Sequence, residues 1–309
     1  MAEMLKNQRF GVEVEFTGIT REIAAKVVAE VLGTTRIAGP ARDAYYTRTI
    51  IDNRNRKWKV MRDSSIDPER TGGLYGNLDE FRVEFVTPPL HYEDIDTLQT
   101  IIRKFREVGG KANSSCGIHI HVDGSNHTPL SLRRLVNFMA YRQDIIYEAL
   151  NIGSRKNRWC RPISKELLST MKKERNFTST IAEQIWYSSA NDSYAGGIDH
   201  SHYNRTRYHA LNLHSYFSKG TVEFRLFNST LHAGKIKAYI QFCLAVSAWA
   251  IESNDRVVFK NVDNYTADKK VTLMRSILIN RLGLSGDEFK TCRLHMMKKL
   301  KENATPVAA

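Results

Sequence analysis

The sequence predicts an α+β fold. Short segments in which apolar and polar residues alternate with period two are interleaved with longer segments in which apolar residues recur every three to four positions. Pro, Gly and Asn/Asp clusters separate the two kinds of segment, and no internal repeat or low-complexity block interrupts them. At 309 residues, 42% of them apolar and 26% charged, the chain can bury a sizeable core.

Taken in order, a strand is expected at Arg9–Thr17, then a helix from Arg21 to Leu32 with Thr20 as N-cap and Gly33 as its stop. Ile23, Val27, Val28 and Val31 form the apolar stripe of that helix. Strands follow at Ala44–Ile51, Arg56–Met61 and Phe81–Val86, the last closed by Pro88-Pro89, which cannot extend a ladder. A helix over Asp94–Val108 repeats Ile95, Leu98, Ile101, Ile102 and Phe105 before Gly109-Gly110. A strand at Cys116–Val122 and a helix at Leu130–Leu150 come next. The Ser/Gly/Asn/Asp-rich stretch Ser188–Asn204 is long for a connection and reads as a candidate lid. A hairpin is expected from Arg205–Tyr216 and Thr221–Phe227, turning at Ser218-Lys219-Gly220, and two or three helices from His232 onward.

Composition narrows the function. No apolar run approaches the roughly 18 residues of a membrane span, and charged residues already populate the first fifteen positions, so a soluble, unprocessed, cytoplasmic chain is expected. Cys116, Cys160, Cys243 and Cys292 are scattered without a C-x-x-C pair, which suggests neither a disulfide framework nor a thiolate zinc site. The net charge of +13 favours anionic partners. Much of the surplus lies in Arg155–Arg175 and in Lys290–Lys301, either solvated helix faces or contacts for an anionic polymer.

Four strands carry the chemistry. Glu13 and Glu15 alternate with Val12, Val14 and Phe16; Arg82 and Glu84 with Phe81, Val83 and Phe85. His119, His121 and Asp123 alternate with Ile118, Ile120 and Val122, and Glu223 and Arg225 with Val222, Phe224 and Leu226. An amphipathic sheet with one wet face would give the same alternation. Such a face in so basic a protein should use lysine, and these four contain none. Carboxylates gathered on one surface repel unless cations neutralise them, and oxygen-rich ligation suits Mg²⁺ or Mn²⁺. Arg225 supplies a fork for phosphate or carboxylate. The set suggests a metal-bridged polyphosphate.

The segments Phe10–Phe16, Cys116–Val122 and Thr221–Arg225 resemble, in order, the signature strands of glutamine synthetase and glutamate-cysteine ligase. Closest is the amidoligase family, a shorter branch of that superfamily, whose further elements are similar to Glu84–Leu90 and Arg62-Asp63-Ser64-Ser65. The resemblance implies a curved, mostly antiparallel sheet of the glutamine synthetase catalytic-domain type, flanked by helices, over residues 1–260, with a helical extension over 261–309 packed on it. It implies that ATP and Mg²⁺ (or Mn²⁺) bind its concave face. Glu13, His119 and Glu223 would hold one metal and Glu15 and Glu84 a second. Arg225 would contact phosphate or substrate carboxylate, with Arg207 and Asn212 on the preceding strand as helpers and Asp63 and His121 as further catalytic candidates. Tyr208–Leu213 departs from the synthetase's arginine-rich strand.

The activity implied is ATP-dependent joining of a small-molecule or peptide carboxylate to an amine through an acyl phosphate, with Ser188–Asn204 closing over it. Two other readings compete. Guanidino phosphotransfer shares the fold, and a basic nucleic-acid-binding protein fits +13 with Tyr147 and Trp159 beside the basic stretch. The latter leaves the carboxylates without a role.

Overall fold

Where alternation is strict, the backbone extends, and where apolar residues recur at helical spacing, it coils. The computed structural model describes residues 2–254 and 261–304. The chain runs α1 (Ala2–Asn7), β1 (Phe10–Phe16), α2 (Arg21–Val31), β2 (Ile37–Ala38), β3 (Arg48–Ile51), β4 (Lys57–Met61), β5 (Val83–Val86), α3 (Ile95–Glu107) and β6 (Gly117–Asp123). It continues with α4 (Pro129–Leu150), α5 (Lys165–Lys173), α6 (Ser179–Trp186), β7 (Leu211–Asn212), α7 (His214–Lys219), β8 (Thr221–Asn228), α8 (Ala233–Glu252), α9 (Ala267–Ser276) and α10 (Lys290–Ala304). The strands form one open sheet in the order β2-β3-β4-β5-β1-β6-β8-β7. Antiparallel registers join β1 to β5, β3 to β4, β4 to β5 and β7 to β8.

Two compact units divide the chain. The first comprises Arg9–Ile120 and Phe227–Lys237. Its core is the apolar face of β1, β4 and β5 covered by α2 and α3. Phe105 of α3 meets Phe16 and Phe85 with ring centroids 4.8 and 5.2 Å away, and Trp58 stacks on Phe85 at 6.0 Å. Thr20 caps α2, its hydroxyl accepting from the Ile23 N–H, and Gly33 ends it at φ +62°. Because Phe16, Phe85 and Trp58 alternate with polar neighbours, packing them under α3 turns Glu13, Glu15 and Glu84 to the opposite face.

The second unit comprises Met1–Gln8, His121–Leu226 and Ala238–Ala309. Here α4 packs against α5, α6 and α10, and Phe138 lies against Trp249 of α8 at 5.1 Å. A buried chain of hydrogen bonds ties three distant segments: His127 Nδ1 to Ser131, His127 Nε2 to Ser247, and the Ser247 hydroxyl to Gln8. Gly124 and Gly220 let β6 and β8 approach closely, since a Cβ on Gly124 would fall 2.6 Å from the Gly220 carbonyl oxygen. None of the helices among the described residues is long and apolar enough to cross a membrane. All four cysteines are buried.

The helices expected at Arg21, Asp94 and Leu130 and the four acid-bearing strands lie where the spacing places them, and among the described residues three α-helices follow His232. Three expectations change. The strand expected from Ala44 begins only at Arg48, because Asp43 accepts from the Tyr45 and Thr47 amides and folds that stretch into a turn. The strand expected from Phe81 begins at Val83, since Asn77 caps a 3₁₀ turn over Leu78–Phe81. The hairpin's first strand is only Leu211–Asn212: Asn204 caps a 3₁₀ turn at Arg205–Arg207, and Asn212 Oδ1 accepts from the His214 N–H as α7 starts. Side chains that bond to nearby backbone amides outcompete the ladder at all three places. In the basic stretch, Arg155 is buried and Arg161 pairs with the buried Asp192 at 2.8 Å, whereas Lys165, Lys172 and Lys173 of α5 are exposed.

Burial, helped by repulsion from Arg134, lowers the pKa of His127 to about 4, and burial, helped by Arg161, does the same for His209. An unfolded histidine takes a proton near 6.5, so as the pH falls the unfolded chain is protonated first. Stability present above pH 6.5 is therefore lost between about 6.5 and 4, by up to about 3 kcal/mol per histidine. Urea unfolding midpoints across this range should fall steadily, and less steeply in His127→Gln. Phe105→Ala should lower unfolding free energy by about 3–5 kcal/mol at any pH.

Candidate active site

The first unit assembles an acidic cluster on the face opposite its core. The β1/β5 register sets Glu15 directly across from Glu84, and the β4/β5 register sets Met61 against Glu84. Asp63, two residues beyond the end of β4, thereby arrives beside them: Glu15, Asp63 and Glu84 offer carboxylate oxygens all within 4.8 Å of one another. The loop holding Asp63 is fastened by Arg82, whose Nη1 donates to the carbonyls of Ser64 and Ile66 at 2.5 Å each. Asp63 Oδ1 also accepts from the Ser65 amide at 2.7 Å, which sets the carboxylate's direction.

Glu15 is buried, 5% exposed, whereas Asp63 and Glu84 are half-buried. Its Oε2 accepts from the Gly117 N–H at 2.6 Å, and its Oε1 lies 3.8 Å from His119 Nε2. The other ring nitrogen of His119, Nδ1, lies 2.9 Å from Glu13 Oε2. A carboxylate only accepts, so the proton of a neutral His119 sits on Nδ1 and the Nε2 lone pair faces Glu15. Glu13 thus orients His119 in the manner of the carboxylates that set metal-binding imidazoles.

Three carboxylates so close repel one another by roughly 3 kcal/mol per pair at an effective dielectric near 20, less where water screens the half-exposed members. A divalent cation turns that repulsion into binding. The donors fit a hard cation: three carboxylate oxygens match Mg²⁺ or Mn²⁺ better than they match zinc, which prefers thiolate- and imidazole-rich sets.

The second unit carries its own polar cluster on β6, β7 and β8. Both Glu223 oxygens are engaged, one by Arg225 Nη1 at 2.5 Å and the other by Asn212 Nδ2 at 2.7 Å. The cross-strand register Asn212↔Glu223 makes the second bond. His121 Nδ1 lies 3.0 Å from the Thr221 hydroxyl and its Nε2 4.0 Å from Glu223. Arg225 is buried, with Tyr208 beside its guanidinium at 5.8 Å. Arg207 stands in the 3₁₀ turn, not on a strand, and donates to the His202 carbonyl at 2.6 Å. It lines a cavity of about 160 Å³ together with Asn212, His214, Ser215, Lys219 and Glu223.

The structure therefore brings Glu15, Asp63 and Glu84 together and seats Glu13 on His119. It gathers Glu223, Arg225, Asn212 and His121 on the strands of the second unit. Sequence reasoning picked Asp63 from its motif without seeing it as a partner of Glu84. It missed His214, which the strand reading hid, and Tyr187, whose position just before the long Ser188–Asn204 segment was its sole signal.

The family model described as "Putative amidoligase enzyme" matches residues 6–247. No curated protein matches the chain. Among solved structures, the crystal structure of a bifunctional glutathione synthetase from Pasteurella multocida aligns at 12% identity with a TM-score of 0.42, over 97% of this chain and 48% of that one. The chain thus spans about half the length of that structure.

With no cation, Glu84→Gln should stabilise the protein by relieving repulsion, on the order of 1 kcal/mol. Saturating Mn²⁺, at about a hundred times its Kd, should stabilise the native protein by about 2.7 kcal/mol and the variant by much less. Thermal midpoints with Mn²⁺ and with a chelator read both changes, which have opposite signs.

Proposed function

Because this chain belongs to the putative amidoligase enzyme family, we propose that it is an ATP-dependent carboxylate-amine ligase on a sheet of the glutamine synthetase catalytic type, acting through an acyl phosphate. The observation that carries this reading is the meeting of Glu15, Asp63 and Glu84, a set able to hold a cation and contributed by separate strands and a loop. Held there, Mg²⁺ or Mn²⁺ would supply charge neutralisation for ATP phosphates. Glu15 and Glu84 would hold it, Asp63 would share in that role, and Glu13 would keep His119 in its binding tautomer.

In the chemistry proposed, a substrate carboxylate oxygen attacks the γ-phosphorus of ATP, the bond to the β-phosphate oxygen breaks, and ADP leaves. Arg225, fixed by its 2.5 Å bond to Glu223, stabilises the charge on the transferring phosphoryl group without having to reorganise. Arg207 and Asn212 support the same anion. The amine nitrogen of the second substrate then attacks the acyl carbon, and phosphate departs. The amine's proton passes to His121, half-buried and 4.0 Å from the Glu223 carboxylate, which favours the imidazolium that forms. Both substrates are small molecules or peptides, one presenting a carboxylate and the other an amine.

ADP and phosphate release from Mg-ATP across pools of amino acids, polyamines and peptides tests the reading. Release should require a matched acid and amine, and should fall at least a hundredfold in Arg225→Ala and in Glu15→Gln. ADP formation that needs no acid, or a stable phosphorylated guanidine as product, would replace ligation with hydrolysis or phosphotransfer.

A further inference from the structure

The cavity beside Glu223 contains a histidine that the ligase chemistry above does not use. His214 is buried at 5% exposure, and its Nδ1 lies 2.7 Å from the hydroxyl of Tyr187, which is fully buried. The two rings meet edge to face, 5.7 Å between centroids at 87°. The His214 backbone is held as well, its N–H donating to Asn212 Oδ1 at 2.8 Å. Ring and backbone are both pinned.

The hydrogen-bond assignment follows from protonation. Burial pushes the Tyr187 hydroxyl well above its ordinary range, so it keeps its proton, and that proton needs an acceptor. Burial, then repulsion from Arg207, lowers His214 to about 4, so the ring is neutral near pH 7. A neutral imidazole that accepts at Nδ1 carries its proton on Nε2. His214 also lines the cavity, together with His200, His202 and the donors Arg207, Ser215 and Lys219, while the Ser218 hydroxyl donates to the His214 carbonyl. The acid in the wall, Glu223, is ion-paired with Arg225 and accepts from Asn212, which offsets much of its repulsion of an anion there.

We propose that this cavity is an oxyanion subsite in which His214 donates Nε2–H to a phosphate or carboxylate oxygen, with Tyr187 as the positioning residue that fixes the tautomer. The volume of about 160 Å³ suits a group of that size. The identity of the anion rests on the ligase reading, as either the phosphoryl group in transfer or a carboxylate of the acid substrate; the existence of the subsite does not. A neutral donor holds an oxyanion without the desolvation cost of burying another charge.

The full chain is titrated with inorganic phosphate and with acetate by calorimetry, and the tautomer of His214 is read from ¹⁵N chemical shifts. Saturable anion binding and an Nε2–H tautomer are expected. Tyr187→Phe should mix the two tautomers and weaken binding, His214→Phe should weaken it about tenfold, and His214→Gln should recover part of the loss through its amide N–H. Tighter phosphate supports the subsite as the seat of the transferred group; tighter acetate supports it as the seat of the acid substrate. A wild-type Nδ1–H tautomer, no binding of either anion, or equal affinity in His214→Phe overturns the proposal. Anion binding without acid- and amine-dependent ADP release would uphold the subsite while removing the ligase reading.

Discussion

A carboxylate withdrawn from water must be answered by donors or cations, and Glu15 is the group around which the first unit is arranged. It sits on β1, with Glu84 on one side by register and Gly117 and His119 on the other by direct contact. The same strand drives Phe16 into the aromatic cluster with Phe105 and Phe85. Core and cluster are two faces of one alternation. A one-residue slip of β1 would bury a glutamate under α3 and expose a phenylalanine, so hydrophobic packing fixes the register and the register fixes the acids.

Much of this was legible in the sequence because period two is a local signal. Glu13, Glu15, Glu84, His119, Glu223 and Arg225 stand out as polar residues at alternate positions of otherwise apolar strands, and burying the apolar partners leaves their direction little freedom. The parts that were not legible depend on side chains capturing nearby backbone. Asn212 and Asn204 end the expected hairpin strand after two residues and turn Arg207 off the sheet. Asp63 was visible as a motif, but its meeting with Glu15 and Glu84 depends on a loop conformation held by Arg82, a contact between residues 18 apart or fewer that no periodicity reports. His214 sat inside a misread strand, and Tyr187 reaches it across 27 residues.

Acids in both units are answered by arginines. In the first, Arg56 pairs with the buried Asp52 and Asp94, and Arg62 with Asp79, while Glu15, Asp63 and Glu84 meet one another. In the second, Glu223 pairs with Arg225 and accepts from Asn212, the buried Asp192 pairs with Arg161, and most of the surplus of lysine and arginine lies in this unit.

Arg82 has a consequence for how the sequence can change length. By gripping the Ser64 and Ile66 carbonyls from the start of β5, it closes a loop just after Asp63; Asp67, Glu69 and Thr71 of that loop are tied to Ser115, Asn113, Thr17 and Gly18, and residues 72–77 extend beyond those ties. That extension carries Gly72, Gly73 and Gly76 at positive φ and the highly exposed Tyr75, at 89%. Residues can be added or lost there at a loop-closure cost that grows only logarithmically, while Asp63 stays tied to Glu84. A fusion partner or affinity tag inserted near Tyr75 would leave the acidic trio in register.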